Sequence, residues 1–351
     1  MDIPTKILID GPAWIGDMIM AQTLFKLLKQ RDPTCQIDVL APVWTKPLLE
    51  RMPEVSESVI LPFKHKEFRI VERYQIAKSL REKNYKWALV LRNSFKSALI
   101  PYWANIPKRT GWIGECRFGL LNDWRKLDEA RYPLMIERFM ALALEPRAEL
   151  PKHPALPKLI VSAESVQRTL ANKQLNKPNQ PVLALCPGAE FGVAKRWPLE
   201  YFAEVAKAKL KQGWAVWLFG SGKDKIITDA INVLCDHRCV NLAGKTELTE
   251  AIDLLSLTSM VVTNDSGLMH VSAALDRPLI VLYGSSSPKF TPPLAHRIKI
   301  LSLNLSCSPC FKRECPLVHM NCLKNLAPAS VLAAIAELMD EQPKVRVEEM
   351  V

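Results

Sequence analysis

Asp17 is the residue of the N-terminal region best suited to acid–base chemistry. It is the only acid of a glycine-containing turn at residues 11–17, between an apolar run and a helical pattern. Turns that follow strands in parallel sheets line ligand sites, so the carboxylate could act as a general base. It could equally be the N-cap of the following helix. The turn lacks the G-x-G-x-x-G pattern, which argues against a nicotinamide enzyme.

A second turn, at residues 263–270, is suited to binding phosphate. Ser266 and Gly267 would present main-chain N–H groups at a helix N-terminus, which attracts anions. Asp265 would repel a phosphate but could accept hydrogen bonds from sugar hydroxyls, and His270 lies one turn further on. The alternative is structural: an acidic or hydroxyl side chain caps the helix, and the histidine is half-buried.

Two further loops in the same half of the chain contain glycine and cations. Residues 188–198 include Lys195, which could neutralise a diphosphate leaving group or could simply be solvated. Residues 220–224 (GSGKD) could contact phosphate or ribose, but they lack the complete P-loop pattern, which argues against a P-loop ATPase. A cationic loop and a helix N-terminus in one half make a phosphate site there more probable than either feature alone.

The first half carries its own concentration of positive charge. Residues 64–86 hold eight lysines and arginines against three glutamates, and much of this segment should be a solvated helix face. Residues 92–97 differ, because they begin where a strand should end and should reach a ligand cleft. A polyanion could bind there. Trp103 and Trp112 lie nearby and could stack on nucleic-acid bases, although no RNA-binding signature surrounds them.

Four of the nine cysteines form a C-x2-C-x4-C-x6-C pattern. They are Cys307, Cys310, Cys315 and Cys322, with His319 inside the pattern. This resembles a small metal knuckle, but it is not the paired C-x2-C form typical of zinc sites. Free thiols are the expectation and a metal is the alternative, because disulfides are rare in cytosolic proteins.

Apolar, β-branched runs of strand length alternate with longer stretches of helical spacing, such as residues 17–30. This alternation predicts parallel sheets with helices on both faces, an α/β fold. The predicted strands are residues 6–10, 36–40, 87–91, 181–185, 214–219, 260–264, 278–283 and 297–301.

A polar, proline-rich stretch at residues 146–181 divides the chain, with one helix expected at 162–173. We therefore predict two doubly wound, Rossmann-like domains, at residues 1–150 and 181–328, joined by a connector at 151–180. Two such domains would face a ligand cleft between the carboxyl ends of their strands.

Composition narrows the function classes. The 351 residues are 48% hydrophobic and 24% charged, which excludes wholesale disorder and fibrous folds. No apolar run approaches the roughly 20 residues of a membrane span, and the acidic N-terminus is unlike a signal peptide, so a cytosolic protein is expected. Lysine and arginine number 47 against 36 acids, a net charge of +11. Such a surface favours nucleic acid, nucleotides, phosphorylated substrates or acidic membranes as partners.

Eight motifs together resemble the ADP-heptose:lipopolysaccharide heptosyltransferases along nearly the whole chain. They are GPAWIGDM at 11–18, APVW at 41–44, NSFKSAL at 93–99, RTGW at 109–112, CPGAEFG at 186–192, KRWP at 195–198, NDSGLMH at 264–270 and YGSSSP at 283–288. The resemblance implies the GT-B glycosyltransferase fold. It implies an N-terminal acceptor domain, a C-terminal ADP-heptose domain, and a last helix within 329–345 that crosses back to the first domain.

The resemblance also implies roles for individual residues. Asp17 matches the catalytic base. The expected donor-binding residues are Lys195, Asp265, Ser266, Gly267, His270, Glu190, Gly188 and Ser221. The expected acceptor-binding residues are Lys96, Arg92, Asn93, Arg109 and Lys64.

The implied reaction transfers heptose, with inversion, from ADP-heptose to the first heptose of the lipopolysaccharide inner core. No metal site and no cofactor are expected, although a divalent cation such as Mg²⁺ could stimulate. The implied partners are ADP-heptose, a lipid-linked acceptor and the cytoplasmic face of the inner membrane, without nucleic acid.

Three alternatives remain at this point. Another sugar-nucleotide transferase of the same fold, heptosyltransferase I or III, would differ in its acceptor. A nucleic-acid-binding module would show salt-sensitive oligonucleotide binding and no ADP release. A protein built on the cysteine cluster would contain stoichiometric metal.

Overall fold

The computed structural model describes residues 5–63 and 67–341, which fall into two compact units. The first unit comprises the described residues up to Ile160 together with Lys289–Thr291, and the second comprises Val161–Pro288 and the described residues from Pro292 onward. Each unit contains one six-stranded parallel sheet, so the predicted α/β class with two doubly wound sheets is confirmed.

The first unit has six strands and five helices. They are β1 (Lys6–Asp10), α1 (Ile15–Arg31), β2 (Gln36–Pro42), α2 (Lys46–Leu49), β3 (Glu57–Leu61), α3 (Ile70–Leu80), β4 (Trp87–Val90), α4 (Leu99–Trp103), β5 (Lys108–Trp112), β6 (Asp123–Arg125) and α5 (Met135–Leu142). The sheet order is β3-β2-β1-β4-β5-β6. Because the order reverses between β1 and β4, the turns after these two strands open a crevice at the carboxyl edge of the sheet.

The second unit repeats this plan after an additional helix, α6. Its elements are α6 (Ala163–Asn172), β7 (Val182–Cys186), α7 (Leu199–Lys211), β8 (Ala215–Leu218), α8 (Lys225–Leu234), β9 (Val240–Asn241), α9 (Leu248–Leu255), β10 (Met260–Asn264), α10 (Gly267–Ala274), β11 (Leu279–Leu282), β12 (Ile298–Leu301), α11 (Asn321–Lys324) and α12 (Pro328–Asp340). The sheet order is β12-β11-β10-β7-β8-β9, so the reversal lies between β7 and β10.

The central strands are mostly apolar because helices cover both faces of each sheet. Every residue of β7 and β10 is buried, as are four of the five residues of β1. Burying a large aliphatic side chain completely stabilises the folded state by roughly 1.5–3 kcal/mol relative to leaving it exposed. These strands therefore fix the positions of the turns that follow them.

All eight predicted runs contain a strand, and the helix expected at 162–173 is α6. Four strands were not predicted. These are β3, β5, β6 and β9, which are short, half-exposed or rich in charge.

The last helix, α12, packs against α7, β11 and β12 of its own unit. Val331, Ile335 and Leu338 are buried on this face. Within the described ranges, every helix is too short or too polar to cross a bilayer.

Candidate active site

A cavity of about 650 Å³ lies at the carboxyl edge of the first sheet, between the turns after β1 and β4. We call it the β1–β4 cavity. Asp17, Arg92, Asn93 and Lys96, all predicted from the sequence, line it together. Trp14 and other aromatic side chains also line it, together with aliphatic and further charged residues. Charged groups set among aromatic rings suit a sugar that carries anionic substituents.

Asp17 is the third residue of α1, and Trp14 occupies the N-cap position. The N-cap alternative for this aspartate is therefore wrong. A carboxylate in the first turn of a helix is stabilised by the helix dipole. A carboxylate that faces a ligand cavity is suited to act as a general base.

The turn after β4 is held by an arginine network. Arg92 makes two hydrogen bonds to the buried carboxylate of Asp10, one of 2.9 Å from Nε to Oδ2. Arg117 is fully buried and donates to the main-chain carbonyl of Arg92 at 2.6 Å and to Oδ1 of Asn93 at 3.2 Å. Lys96 donates to the carbonyl of Glu67 at 3.1 Å. These bonds fix the turn relative to the cavity.

Arg109, which was also predicted to bind the acceptor, does not line this cavity. Arg109 donates to the carbonyls of Leu120 and Ile106 at 2.6 and 2.7 Å, away from the residues that line the cavity. Lys64 lies outside the described residues. Trp112, at 5% exposure, lines the cavity and packs against the ring of Tyr132, with the ring centres 5.8 Å apart.

Arg73 was missed by sequence reasoning. It is only 2% exposed, yet it lines the β1–β4 cavity, and its Nη1 has no hydrogen-bond partner among the described residues. Its Nε donates to the carbonyl of Phe68 at 2.6 Å, and its guanidinium lies 4.5 Å from the ring centre of Phe63. A buried donor without a partner costs about 1–3 kcal/mol, which an anionic ligand would recover.

Three cations crowd one wall of the cavity. Burial and the nearby charge of Arg92 lower the pKa of Arg73. Burial, Arg73 and Arg92 likewise lower the pKa of Lys96. Asp10, which pairs with Arg92, and Glu115, which also lines the cavity, offset part of this charge. The remaining excess of cations suits the wall to a carboxylate or phosphate.

In the second unit, two predicted donor residues form one ion pair. Nζ of Lys195, in the loop after β7, lies 2.5 Å from Oδ2 of Asp265, which follows β10. Both side chains are largely buried, at 15% and 7% exposure. Asn264 ties the two turns together, accepting from the N–H of Trp197 at 3.1 Å and donating to the carbonyl of Pro187 at 2.7 Å.

The start of the helix after Asp265 agrees in part with the sequence-based expectations. Ser266 is the N-cap of α10, with its hydroxyl accepting from the N–H of Met269 at 3.4 Å, as the structural alternative proposed. Gly267 is the first helical residue. His270 is buried rather than half-buried, and its burial lowers the imidazole pKa from 6.5 to about 4, although Asp265 opposes this shift. His270 is therefore neutral at pH 7.

The remaining donor residues surround Asp224, another group that the sequence analysis did not assign. Oδ2 of Asp224 accepts from the N–H and the hydroxyl of Ser221 at 2.9 and 2.8 Å. A Cβ at Gly188 would lie 2.4 Å from the Asp224 carboxyl carbon, so only glycine fits there. Glu190 pairs with Lys223 at 2.5 Å on the surface. Within the described residues, no group of three or more histidine, cysteine or acidic side chains has a ready-made metal-binding arrangement.

The chain matches the model of glycosyltransferase family 9 (heptosyltransferase) over residues 73–321. It is also 47% identical over 346 residues to the lipopolysaccharide heptosyltransferase 2 of Salmonella typhimurium strain LT2, covering 96% of this chain and 99% of that relative. The chain belongs to glycosyltransferase family 9, the heptosyltransferases.

Two solved heptosyltransferase structures resemble the fold of this chain. The Escherichia coli ADP-heptose lipopolysaccharide heptosyltransferase II matches with a TM-score of 0.86 at 44% identity, over 95% of this chain and 98% of that chain. The E. coli heptosyltransferase WaaC with ADP matches at a TM-score of 0.67 and 18% identity, over 95% and 100%, which supports the fold alone. The predicted family and the GT-B fold are confirmed.

His270 gives this heptosyltransferase a pH-dependent stability. In the unfolded chain the imidazole takes up a proton near pH 6.5, whereas in the folded protein it stays neutral until about pH 4. Stability is therefore full above pH 6.5 and falls as the pH drops towards 4, by about 2–3 kcal/mol at pH 4.5. We expect His270→Asn to reduce the loss of melting temperature between pH 7 and pH 4.5, measured by calorimetry.

The matched control is His237→Asn, which replaces an exposed histidine of the same unit. This variant should keep the pH dependence of the unmodified protein. An unchanged pH slope in His270→Asn would contradict the buried, neutral state of His270.

Proposed function

We propose that this heptosyltransferase transfers heptose from ADP-heptose to the heptose already present on the lipopolysaccharide inner core, adding the second heptose. The observation that carries the proposal is the near full-length similarity, at 44–47% identity, to proteins named heptosyltransferase II. The same similarity does not favour the alternatives within the family, heptosyltransferases I and III, which would differ in the acceptor.

The donor half of the mechanism rests on the ion-pair region of the second unit. When the anomeric carbon–oxygen bond breaks, negative charge grows on the leaving diphosphate of ADP. Lys195 and the main-chain N–H groups at the start of α10 would stabilise this charge, because cations and helix N-termini both attract it. Asp265 would meanwhile accept hydrogen bonds from sugar hydroxyls. No metal is needed at the diphosphate when protein cations supply the charge.

The acceptor half rests on the β1–β4 cavity. Asp17 would remove the proton from the acceptor hydroxyl as its oxygen attacks the anomeric carbon from the face opposite ADP. A single displacement of this kind inverts the configuration. We therefore propose Asp17 as the general base, and Lys96, Arg92 and Asn93 as residues that bind the acceptor.

The cationic wall fits an acceptor that carries acidic sugars and phosphates. Arg73, Arg92 and Lys96 stand together there, and the buried Nη1 of Arg73 has no hydrogen-bond partner within the described part of the chain. We include Arg73 among the acceptor-binding residues for this reason. We also propose that the enzyme works against the cytoplasmic face of the inner membrane, since its acceptor is lipid-linked and its net charge of +11 suits an anionic surface.

Replacing Arg73 by glutamine should raise KM for the acceptor about 10- to 100-fold and leave KM for ADP-heptose unchanged. The reason is the loss of one charge-assisted hydrogen bond to the acceptor, worth about 1.5–3 kcal/mol. Steady-state kinetics with each substrate varied in turn would measure the effect.

Arg69→Gln is the control for Arg73→Gln. It removes the same charge four residues earlier, from an exposed side chain that pairs with Glu67 and Glu72 and does not line the cavity. Its KM for the acceptor should stay within about twofold, as for most exposed ion pairs. Equal changes in the two variants would contradict a direct contact between Arg73 and the acceptor.

The direct test of the proposed function is ADP release from ADP-heptose by the purified protein. An inner-core acceptor with a single heptose should be required, and an acceptor without heptose should give no release. Release only with the heptose-free acceptor would identify heptosyltransferase I activity instead. Binding to oligonucleotides without ADP release would contradict the proposal altogether.

A further inference from the structure

Four cysteines of the second unit have no part in the proposed transfer. Cys307, Cys310, Cys315 and Cys322 are free thiols that line one cavity of about 20 Å³. A space of this size is close to that of one water molecule, about 10–15 Å³ on the same scale. It is therefore large enough for a single ion and too small for an organic ligand.

The segment that carries these thiols has no hydrophobic core of its own. Residues 302–322, all of them described, include no buried residue. Four non-glycine residues in this stretch nevertheless have left-handed backbones: Asn304, Phe311, Val318 and Met320, with φ between 49° and 61°. This conformation costs about 1–2 kcal/mol per residue and persists only where other bonds impose it.

A long irregular segment without a core is usually held by a disulfide or by a metal. The four cysteines are free thiols, so a disulfide does not hold this segment and a metal is the remaining explanation. We propose that Cys307, Cys310, Cys315 and Cys322 bind one thiophilic divalent cation, with Zn²⁺ expected, as a structural site. Tetrahedral sites with four sulfur ligands hold zinc or iron.

The proton balance of this site follows from its ligands. Each thiol loses its proton when it binds the metal, so four protons are released and the complex carries a charge of −2. Lys312 and Arg313, in the same segment, supply compensating positive charge.

The thiols surround the cavity, but their sulfur atoms are not close enough together to bind one metal ion in the described structure. Binding must therefore draw the sulfur atoms inward. The four cysteines are only half-buried; Cys322 packs against the hydrophobic core of the second unit, so the other three would move towards it.

His319 also lines the cavity, but its hydrogen bond argues against it as a ligand. Its Nδ1 lies 3.0 Å from the main-chain nitrogen of Asn321 and accepts that N–H. This hydrogen bond occupies Nδ1, which therefore cannot bind a metal at the same time. The sulfur atoms alone supply the four ligands that zinc prefers.

The segment also braces the loop that carries Lys195. The carbonyl of Arg313 accepts from the N–H of Ala194 at 3.0 Å, and the N–H of Phe311 donates to the carbonyl of Ser285 at 2.7 Å. A Cβ at Gly192 would lie 2.3 Å from the same Arg313 oxygen, which shows how closely the two chains approach. A metal in this segment would thus stabilise the fold of that loop.

The test is the metal content of the full chain, purified without a metal-affinity step and measured by elemental mass spectrometry. We expect about one zinc ion per chain. Cys315→Ser should lose most of it, whereas Cys116→Ser, which removes an exposed thiol in the first unit, should retain it. Stoichiometric iron in place of zinc would keep the site and change only the metal.

Absence of both zinc and iron from protein grown with added metal would overturn the proposal. Full metal content in Cys315→Ser would overturn it as well. If that variant does not fold, the unmodified chain can be stripped with a mercurial and a chelator and titrated with Co²⁺. Intense visible and sulfur-to-cobalt charge-transfer bands are expected for tetrahedral thiolate ligation, and a weak octahedral spectrum would contradict it. None of these readouts depends on transferase activity.

Discussion

Asp17→Asn should bind ADP-heptose and the acceptor normally and lower kcat by about 10²- to 10⁴-fold, the usual contribution of a general base. Asparagine has nearly the same size as aspartate, so the β1–β4 cavity should keep its shape. The loss of negative charge in the first turn of α1 should cost only about 0.3–1 kcal/mol of stability. Pre-steady-state and steady-state ADP release, with binding measured separately by calorimetry, would separate turnover from affinity.

Asp32→Asn is the matched control for this variant. Asp32 caps the other end of α1 and accepts from the N–H and hydroxyl of Thr34, and it does not line the cavity. It loses the same charge from the same helix, so its kcat should stay unchanged. Near-normal turnover in Asp17→Asn, or an equal loss in Asp32→Asn, would exclude Asp17 as the base.

The core of the fold was predictable because its strands are apolar on both faces. Strands such as β1, β7 and β10 have no polar face, so they read as uninterrupted apolar runs. The missed strands lie towards the sheet edges. β3 is half-exposed, and β5 contains two cations and a glycine, so neither carries that signal. Their pairing is decided by neighbouring strands rather than by their own residues.

The turns of the candidate site were predictable for a topological reason. Asp17, Arg92, Lys195 and Asp265 all follow the strands that flank the two reversals of strand order, where doubly wound sheets bind ligands. The sequence motifs at these places could therefore be assigned before any contact was known. Arg109 does not follow such a strand, since it lies within β5, and it donates to main-chain carbonyls instead.

Arg73 and Asp224 could not be predicted in the same way. Arg73 stands among the charges of residues 64–86, which resemble a solvated helix face, and its burial depends on Phe63 and the carbonyl of Phe68. In the sequence, Asp224 is an ordinary acidic residue of a turn expected on the surface. Its closeness to Gly188, 36 residues earlier, exists only once β7 and β8 are paired.

Lys195→Ala should raise the Kd for ADP about 10- to 100-fold and lower kcat by about 10²- to 10³-fold, because the diphosphate loses a cation in both the bound and the leaving state. The variant also leaves the largely buried Asp265 without its partner, which should lower the melting temperature. Calorimetry well below that temperature would measure ADP binding. Lys225→Ala, which breaks an exposed pair with Asp229, should change none of these quantities.

The ion pair between Lys195 and Asp265 raises a second explanation, which a double variant can separate. If Lys195 serves only to neutralise Asp265, then Lys195→Ala combined with Asp265→Asn should restore ADP binding, because the unpaired negative charge is gone. If Lys195 contacts the diphosphate, the double variant should recover stability but still bind ADP weakly. We expect the second result, since the Lys195 side chain is 15% exposed and pairs with Asp265, the residue before the N-cap of α10, which is only 7% exposed. The coupling energy of this double-mutant cycle would measure how far the pair acts as a unit.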